Sequence, residues 1–486
     1  MLNLKISHKF TGISLFTLFA LSVTGCGVIT VDYKHDLQLP ESYAGIRSAE
    51  NNIQDLSKWW EGFNDPLLTE LINKALKQNY NIRTAGLTLE KALHEANLAK
   101  ADLGPSAALN ANLFGAKSDA ELPVKVPDIN SASLGTAGGI EVSWELDLFG
   151  KKQSSLDAAK YRALSIRDQI YAAQTAIAAE TALKYFEILA VKDQIRVLKA
   201  NIENLEKLHK YVKGRFASGE ATAYDVENTG NQITNLKSKL ALLDTVITGN
   251  TRAIAVLCGE TPQTFVHDKF PEGLPEVLPA VPLGSVPGEL LLRRPDILAK
   301  DNEISAKAAL TASAKADLYP RFNINFLGSA GRIEMDGKFD HISGWATILS
   351  GSVSLPVFTN GRIRANIEAK NADLKSSLAE YDQMILQALK EVDNQYDYIY
   401  SIDKQKKLLE QGRKESNELI TTATRLFEFG KTNFDSITTA RARNLSFDDA
   451  LIENRHNKIK AMIVLYKALG GGWNCDKCKI ENGYQP

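Results

Sequence analysis

The chain has 486 residues, of which 44% are apolar and 24% charged, and its formal net charge at pH 7 is -1. This length allows about two to four ordinary domains, and the composition is typical of a folded protein rather than a disordered one. Basic residues alternate with acidic ones and form no basic block, so the sequence predicts no nucleic-acid partner.

The amino terminus has the pattern of an export signal. Lys5 and Lys9 precede an apolar stretch, residues 13–23, that is shorter than a membrane span of about 20 residues. The small residues before Cys26 resemble a bacterial lipobox, in which the cysteine becomes the lipidated first residue. The sequence therefore predicts a lipoprotein signal peptide at 1–25 and lipidation of Cys26. Ordinary cleavage that leaves Cys26 as a plain thiol is the alternative.

The next segment, residues 26–64, is polar with few periodic apolar residues, which favours an extended tether from the lipid. Asp65 followed by Pro66 is a helix-start signal, and helical periodicity continues to Leu103. Trp59 and Trp60 are interpreted as packing residues.

After Gly104 and Pro105 the apolar period changes to two. Apolar residues alternate with polar ones around 109–113 and 140–148, and again around 322–326 and 345–357. Strands of about 9 to 11 residues cross a bilayer at a tilt. The sequence therefore predicts two pairs of transmembrane strands, within residues 105–149 and 319–358.

Two long runs without proline follow the strand pairs, from Gln153 to Leu257 and from Arg362 to Leu469. Proline costs about 3 kcal/mol inside a helix, so these runs favour long helices. Each run has a turn-like interruption, FASGEATAYD at 216–225 and FEFGKTNFD at 427–435. We expect two hairpins, each with one longer and one shorter helix, at 151–258 and 361–470.

The chain repeats its own plan. KADLGPSAALN at 100–110 matches KADLYPRFNIN at 315–325, and the other elements recur in the same order. We infer a tandem duplication, with repeats at 65–260 and 291–472. A proline-rich linker at 261–290 joins them, and a tail at 473–486 follows.

Four amphipathic strands leave open sheet edges, which a bilayer does not tolerate. About eight strands is the smallest closed barrel. The strand count therefore predicts an oligomer and leaves open whether two or three chains form it.

The sequence offers no chemistry of catalysis. It contains no metal-ligand spacing, no carboxylate pair with histidine, no P-loop and no dinucleotide turn. We therefore predict neither an enzyme nor a cofactor or metal. Cys475 and Cys478 are candidates for a small disulfide, Cys258 for a buried apolar residue, and RRPDI at 293–297 for a helix start rather than an anion site.

Several motifs together resemble the TolC and OprM type of outer-membrane efflux factors, and in particular their lipid-anchored branch. They are the lipobox, DPLLTELINKAL at 65–76, RRPDI at 293–297, VFTNGR at 357–362 and the duplicated glycine-containing tips. The resemblance implies an α+β membrane protein that forms a homotrimer. It implies a trimeric twelve-stranded transmembrane β-barrel, with four strands per chain, continued by a long periplasmic α-helical barrel of coiled-coil hairpins.

The same resemblance implies a location and partners. The chain is expected in the outer membrane, lipid-anchored and extending into the periplasm, with a periplasmic adaptor and an inner-membrane pump as partners. Its expected function is the passive exit duct of a tripartite efflux system, gated at the periplasmic tip. The alternative is a tethered periplasmic coiled-coil scaffold that forms no channel.

By resemblance, the two hairpin tips close the tube at rest and meet the adaptor. The candidate gate residues are Asp225, Asp435, Phe427, Phe434, Arg425 and Arg441, and the candidate docking residues are Gly219 and Gly430. The aspartates are expected to form a ring of carboxylates, the phenylalanines an apolar plug and the arginines closed-state bridges. A purely structural role, with the aspartates capping helices and the phenylalanines packing between them, stays open.

The tips also depart from relatives that carry a second acid one turn beyond each aspartate. Those positions are Asn228 and Thr438 here, so a second acidic ring is not expected.

Overall fold

The computed structural model describes residues 29–34, 37–44, 56–118, 131–265, 270–282, 293–335, 341–432 and 434–473. The predicted signal peptide, the lipidation site Cys26 and the cysteine pair Cys475 and Cys478 lie outside these residues and stay predictions.

The described elements follow one another in the order that the sequence predicts. A short 3-10 helix, Trp59–Phe63, comes first, and helices α1 and α2, strands β1 and β2, helices α3 to α5, strands β3 and β4 and helices α6 and α7 follow. In the first repeat the bounds are α1 Pro66–Gln78, α2 Tyr80–Ala101, β1 Ser106–Ser118, β2 Ser131–Leu146, α3 Lys151–Ala217 and α4 Ala223–Leu257. In the second repeat they are α5 Pro295–Ala316, β3 Arg321–Met335, β4 His341–Ser354, α6 Arg362–Glu428 and α7 Phe434–Ala468.

Element lengths confirm the tandem repeat. Helices α2 and α5 each have 22 residues, α3 and α6 each have 67, and α4 and α7 each have 35. The hairpins begin and end within two residues of the predicted bounds, because proline and glycine mark the ends of helices in the sequence.

The repeats do not fold as separate domains. One compact unit contains Leu89–Ser165 and Lys300–Glu380, and the other contains Asp36–Thr88, Ile166–Ala299 and Tyr381–Pro486. Each unit therefore takes residues from both repeats. In the first unit the cause is strand pairing, since β2 of the first repeat pairs with β3 of the second.

The first unit holds an antiparallel sheet in the order β1-β2-β3-β4. Its strands have 13, 16, 15 and 14 residues, so the predicted length of about 9 to 11 was too short. Strand β2 begins at Ser131, and β4 begins at His341 and ends at Ser354. The apolar alternation missed the starts of β2 and β4 because small residues such as Gly135 and Gly344 pair there without an apolar signal. It placed the end of β4 too late, because Leu355 and Val357 continue the apolar period after the strand has ended at Ser354.

One face of this sheet is apolar and the other mostly polar. Opposite residues share a face, as in the pairs Leu109 with Ile140 and Val142 with Phe326. The exposed large residues of the apolar face are Leu109, Leu113, Leu134, Ile140, Trp144, Ile324, Phe326, Trp345, Leu349 and Val353. Leu109 and Trp345 are each 80% exposed, so the chain itself leaves this face uncovered.

The second unit has a continuous hydrophobic core around Trp60, Tyr185 and Phe186. Trp59 stacks on Tyr466 with ring centroids 5.2 Å apart, which confirms the packing role of the tryptophans. Tyr43 and Phe63 are also buried in this core, so these residues of the predicted tether at 26–64 pack against the fold rather than extend away from it.

Cys258 belongs to the same core and has no exposed surface. Burial raises the pKa of its thiol to about 11, which leaves the sulfur protonated and unreactive at neutral pH. The prediction of a buried apolar residue is confirmed.

The RRPDI segment starts helix α5, as predicted. The Arg294 guanidinium contacts Asp296 at 2.7 Å and Glu391 at 3.0 Å, so its charge is already paired within the chain. Burial alone raises the pKa of Asp296, but hydrogen bonds and charge from Arg294 outweigh it and hold that pKa below its usual value. Trp473, the first residue of the predicted tail at 473–486, donates a hydrogen bond to the Arg293 carbonyl at 3.0 Å.

Candidate functional site: the hairpin tips

Each hairpin turns at a glycine in the left-handed region. Gly219 has φ 78° and Gly430 has φ 67°. The amide after each glycine donates to a carbonyl of the last helical turn, Glu220 to Arg215 and Lys431 to Leu426, both at 2.8 Å. The geometry is that of a helix C-cap that a side chain at the glycine would strain. The two candidate docking residues therefore have a conformational role in the turns.

Asp225 caps helix α4. Its amide donates to the Thr222 hydroxyl oxygen at 3.2 Å, and its carboxylate accepts from the Thr222 amide at 2.9 Å and the Thr222 hydroxyl at 2.7 Å. This is a reciprocal capping box. The structural role that sequence analysis left open is therefore present for Asp225.

Asp435 behaves differently from its counterpart in the first hairpin. Its carboxylate accepts a hydrogen bond from the Asn228 side-chain amide of helix α4 at 3.2 Å. Asn228 thus joins the second hairpin to the first, at the position where the family resemblance implied an acid. At the other such position, Thr438 is buried, and its hydroxyl donates to the Asp435 carbonyl at 3.0 Å.

The two phenylalanines pack between the hairpins. Phe427 and Phe434 meet edge to face with ring centroids 5.7 Å apart, and both belong to a buried cluster with Val212 and Ile437. The Arg215 guanidinium lies over the Phe427 ring at 4.6 Å from its centroid. The proposed apolar plug therefore consists of side chains that already pack within one chain.

The two candidate bridging arginines have no acid partner within the part of the chain that the structure describes. Arg425 lines an open groove on α6 with Glu418 and Thr421. The Arg441 Nε atom is buried without a hydrogen-bond partner, and burial lowers the pKa of its guanidinium. A bridge from either arginine thus needs a group that the described single chain does not supply.

Sequence reasoning missed the residues that connect the helices at the tips. Asn228 was noted only as a lost acid, although an amide can donate to the carboxylate that an acid would repel. The His209 ring nitrogen lies 2.6 Å from the buried Thr229 hydroxyl and ties α3 to α4. Nothing in the sequence pattern indicates that pair, whereas the spacing from Thr222 to Asp225 does match a capping box.

The comparisons with known proteins agree with this arrangement. The family model described as outer membrane efflux protein matches residues 71–260 and 286–471, one range for each repeat. The pyoverdine export outer membrane protein OpmQ of Pseudomonas aeruginosa is 25% identical over 472 residues, which cover 94% of this chain and 96% of OpmQ. The probable outer membrane lipoprotein SilC of Salmonella typhimurium is 24% identical, over 96% of this chain and 99% of SilC.

A solved structure of the outer-membrane channel OprN is similar in three dimensions. Its TM-score is 0.82 at 25% identity, and the match covers 92% of this chain and 99% of the other. The sheet, the paired hairpins and the repeat thus define an outer-membrane channel.

The chain belongs to the outer membrane efflux protein family, whose model matches both of its repeats. It is an outer-membrane channel of an efflux system, and its place is the outer membrane. The family assignment favours this channel over the tethered scaffold.

Proposed function

We propose that three copies of this chain close one barrel and form a passive exit duct. The observation that carries the proposal is the four-stranded sheet with an uncovered apolar face and two edges, β1 and β4, unpaired in the described chain. Such edges are stable in lipid only in a closed barrel.

The number three follows from the width that a duct needs. Two copies supply eight strands, and an eight-stranded barrel is about filled by its own side chains. Three copies supply twelve strands and leave a water-filled passage. Exposed apolar residues on the hairpins, such as Leu242 and Leu408, support further helix contacts between copies.

The remaining parts of the proposal follow the family. The partners are a periplasmic adaptor and an inner-membrane pump, and the chain does no chemistry of its own. Cys26 carries the lipid anchor, and the name of SilC as a probable outer membrane lipoprotein supports this part. The tips at Gly219 and Gly430 face the adaptor.

The tip residues form the gate in this proposal. Three copies of Asp435, each tied to Asn228, place carboxylates at one constriction, and like charges held close favour cations. Arg425 and Arg441 find their acid partners on neighbouring copies in the closed state. Adaptor binding replaces these contacts and shifts the population towards the open state.

The deciding experiment combines oligomer mass in detergent with single-channel conductance of the same preparation in planar bilayers. We expect a trimer with small, cation-preferring currents. A monomer that never inserts contradicts the duct, and a dimer that conducts contradicts the twelve-stranded barrel.

A further inference from the structure

The polar face of the sheet has a register in which an acid lies beside two aliphatic residues. Glu141 on β2 lies opposite Leu327 on β3, and Leu327 lies opposite Ile348 on β4. Side chains in such opposite pairs are about 5 Å apart at Cβ. We name Glu141, Leu327 and Ile348 the lumen patch, because in a closed barrel the polar face lines the water-filled interior.

The side chains of the lumen patch are larger than most of those in the two adjacent registers. One register to one side holds Gly139, Ser329 and Ala346, and one register to the other side holds Ser143, Asn325 and Ser350. Five of these six flanking residues are Gly, Ala or Ser, and such short side chains leave the larger side chains of the patch accessible. Leu327 is 40% exposed and Ile348 is 55% exposed, although both lie on the face that meets water.

The carboxylate of the patch is not neutralised. Two other acids of the sheet have basic partners, Glu145 with Lys152 at 3.6 Å and Glu334 with Arg332 at 3.2 Å. Glu141 has no ion pair among the described residues, and its one hydrogen bond, from the Asn110 amide, is 3.5 Å long. An unpaired negative charge beside two exposed aliphatic side chains is complementary to a cation that carries apolar groups.

We propose that the lumen patch binds amphiphilic organic cations, such as quaternary ammonium or phosphonium ions with apolar substituents. The proposal rests on the duct proposed above, since only a closed barrel makes this face a lumen. Each chain then contributes one complete patch. A barrel of twelve strands is about 24 Å across at its backbone, so cargo in the passage can touch the wall.

The chemistry of the patch discriminates among cargo classes. An inorganic cation interacts favourably only with the Glu141 carboxylate, and a neutral apolar molecule only with the aliphatic side chains. Anions are repelled. Only a cation with an apolar body uses all three side chains at once.

The test measures block of the ionic current in planar bilayers by tetraphenylphosphonium and, for comparison, by the more hydrophilic tetraethylammonium. In the unmodified channel we expect tetraphenylphosphonium to block at the lower concentration. Glu141→Gln should raise its half-blocking concentration about two- to fivefold, the range for one exposed charge pair. Leu327→Ser should raise it about fivefold and leave the cation preference, measured as a reversal potential, unchanged.

Glu145→Gln is the matched control, because it removes an acid from the same face of the same strand whose charge Lys152 already offsets. The proposed binding is contradicted if Glu145→Gln and Glu141→Gln lose block equally. It is also contradicted if the two cations block the unmodified channel equally. Trimer mass in detergent checks that each variant assembles. A conducting channel without selective block overturns this inference alone, whereas absence of any current removes the duct as well.

Discussion

The tip aspartates Asp225 and Asp435 occupy equivalent positions in the two repeats, but their side chains have different partners. Asp225 closes a capping box with Thr222, so its carboxylate is occupied at the start of its own helix. Asp435 instead accepts from Asn228 on the other hairpin. Only the second contact can hold the two hairpins together, so we assign the gate to it.

This difference gives a prediction for Asn228→Ala. Loss of the amide leaves Asp435 without its contact to the first hairpin, so the resting single-channel conductance should rise. Asp225→Ala together with Asp435→Ala should raise it as well and leave the trimer intact. The control is Asn231→Ala, an exposed amide on the same helix. Unchanged conductance in Asn228→Ala, or an equal rise in Asn231→Ala, contradicts the assignment.

Only one of these two contacts can be predicted from a local sequence pattern. The spacing of Thr222 and Asp225 predicts a cap because the capping box is local in the chain. The contact between Asn228 and Asp435 joins residues far apart in sequence, and no local pattern encodes which side chains two packed helices bring together.

Among the secondary-structure elements, the lengths of the hairpin helices follow from the positions of proline and glycine. Long runs without proline give helices of 67 and 35 residues, and one glycine in each run ends the longer helix. Gly219 and Gly430 are required for their positive φ rather than for space, since an added Cβ meets no atom within 4 Å at either position.

We expect Gly219→Ala and Gly430→Ala to destabilise the turns in which they lie. A side chain in the left-handed region costs about 1 to 2 kcal/mol, so each turn should open more often. Amide hydrogen exchange at the substituted tip should then be about tenfold faster.

Gly214→Ala provides the contrast, because Gly214 lies inside helix α3 and is also free of neighbours. Alanine is favoured over glycine in a helix, so exchange there should stay the same or slow down. Faster exchange in all three variants would mean that the turn conformation is not the cause.

At the scale of the whole molecule, the sheet separates two environments by alternation. Leu349 and Ile348 are neighbours on β4, yet Leu349 shares the face of Phe326 and Ile348 the face of Leu327. The first face meets lipid in the proposed barrel, and the second meets water. Adjacent positions should therefore respond in opposite ways to the same charge.

We expect Leu349→Arg and Ile348→Arg to differ in assembly. Arginine on the lipid face near the middle of a membrane costs about 2 to 4 kcal/mol per chain, so Leu349→Arg should lower the amount of trimer recovered from outer membranes. Ile348→Arg should assemble normally, because water solvates its charge. Equal assembly of both variants contradicts the assignment of the faces.

Sequence patterns alone were sufficient to predict the helices, the hairpin turns, the strand pairs and the tandem repeat. These features depend on periodicity, proline and glycine, which act within a few residues of the chain. The family resemblance followed from motifs read in order along nearly the whole chain.

How the two repeats combine could not be predicted from these patterns and is visible only in the folded chain. In the folded chain β2 of the first repeat pairs with β3 of the second, and Glu141 lies beside Leu327 and Ile348. The strands are also longer than predicted, because small residues extend the pairing. Phe427 also packs against Phe434, and Asn228 contacts Asp435. Strand register and helix packing connect residues distant in sequence, and their energies depend on side chains that no local window contains together.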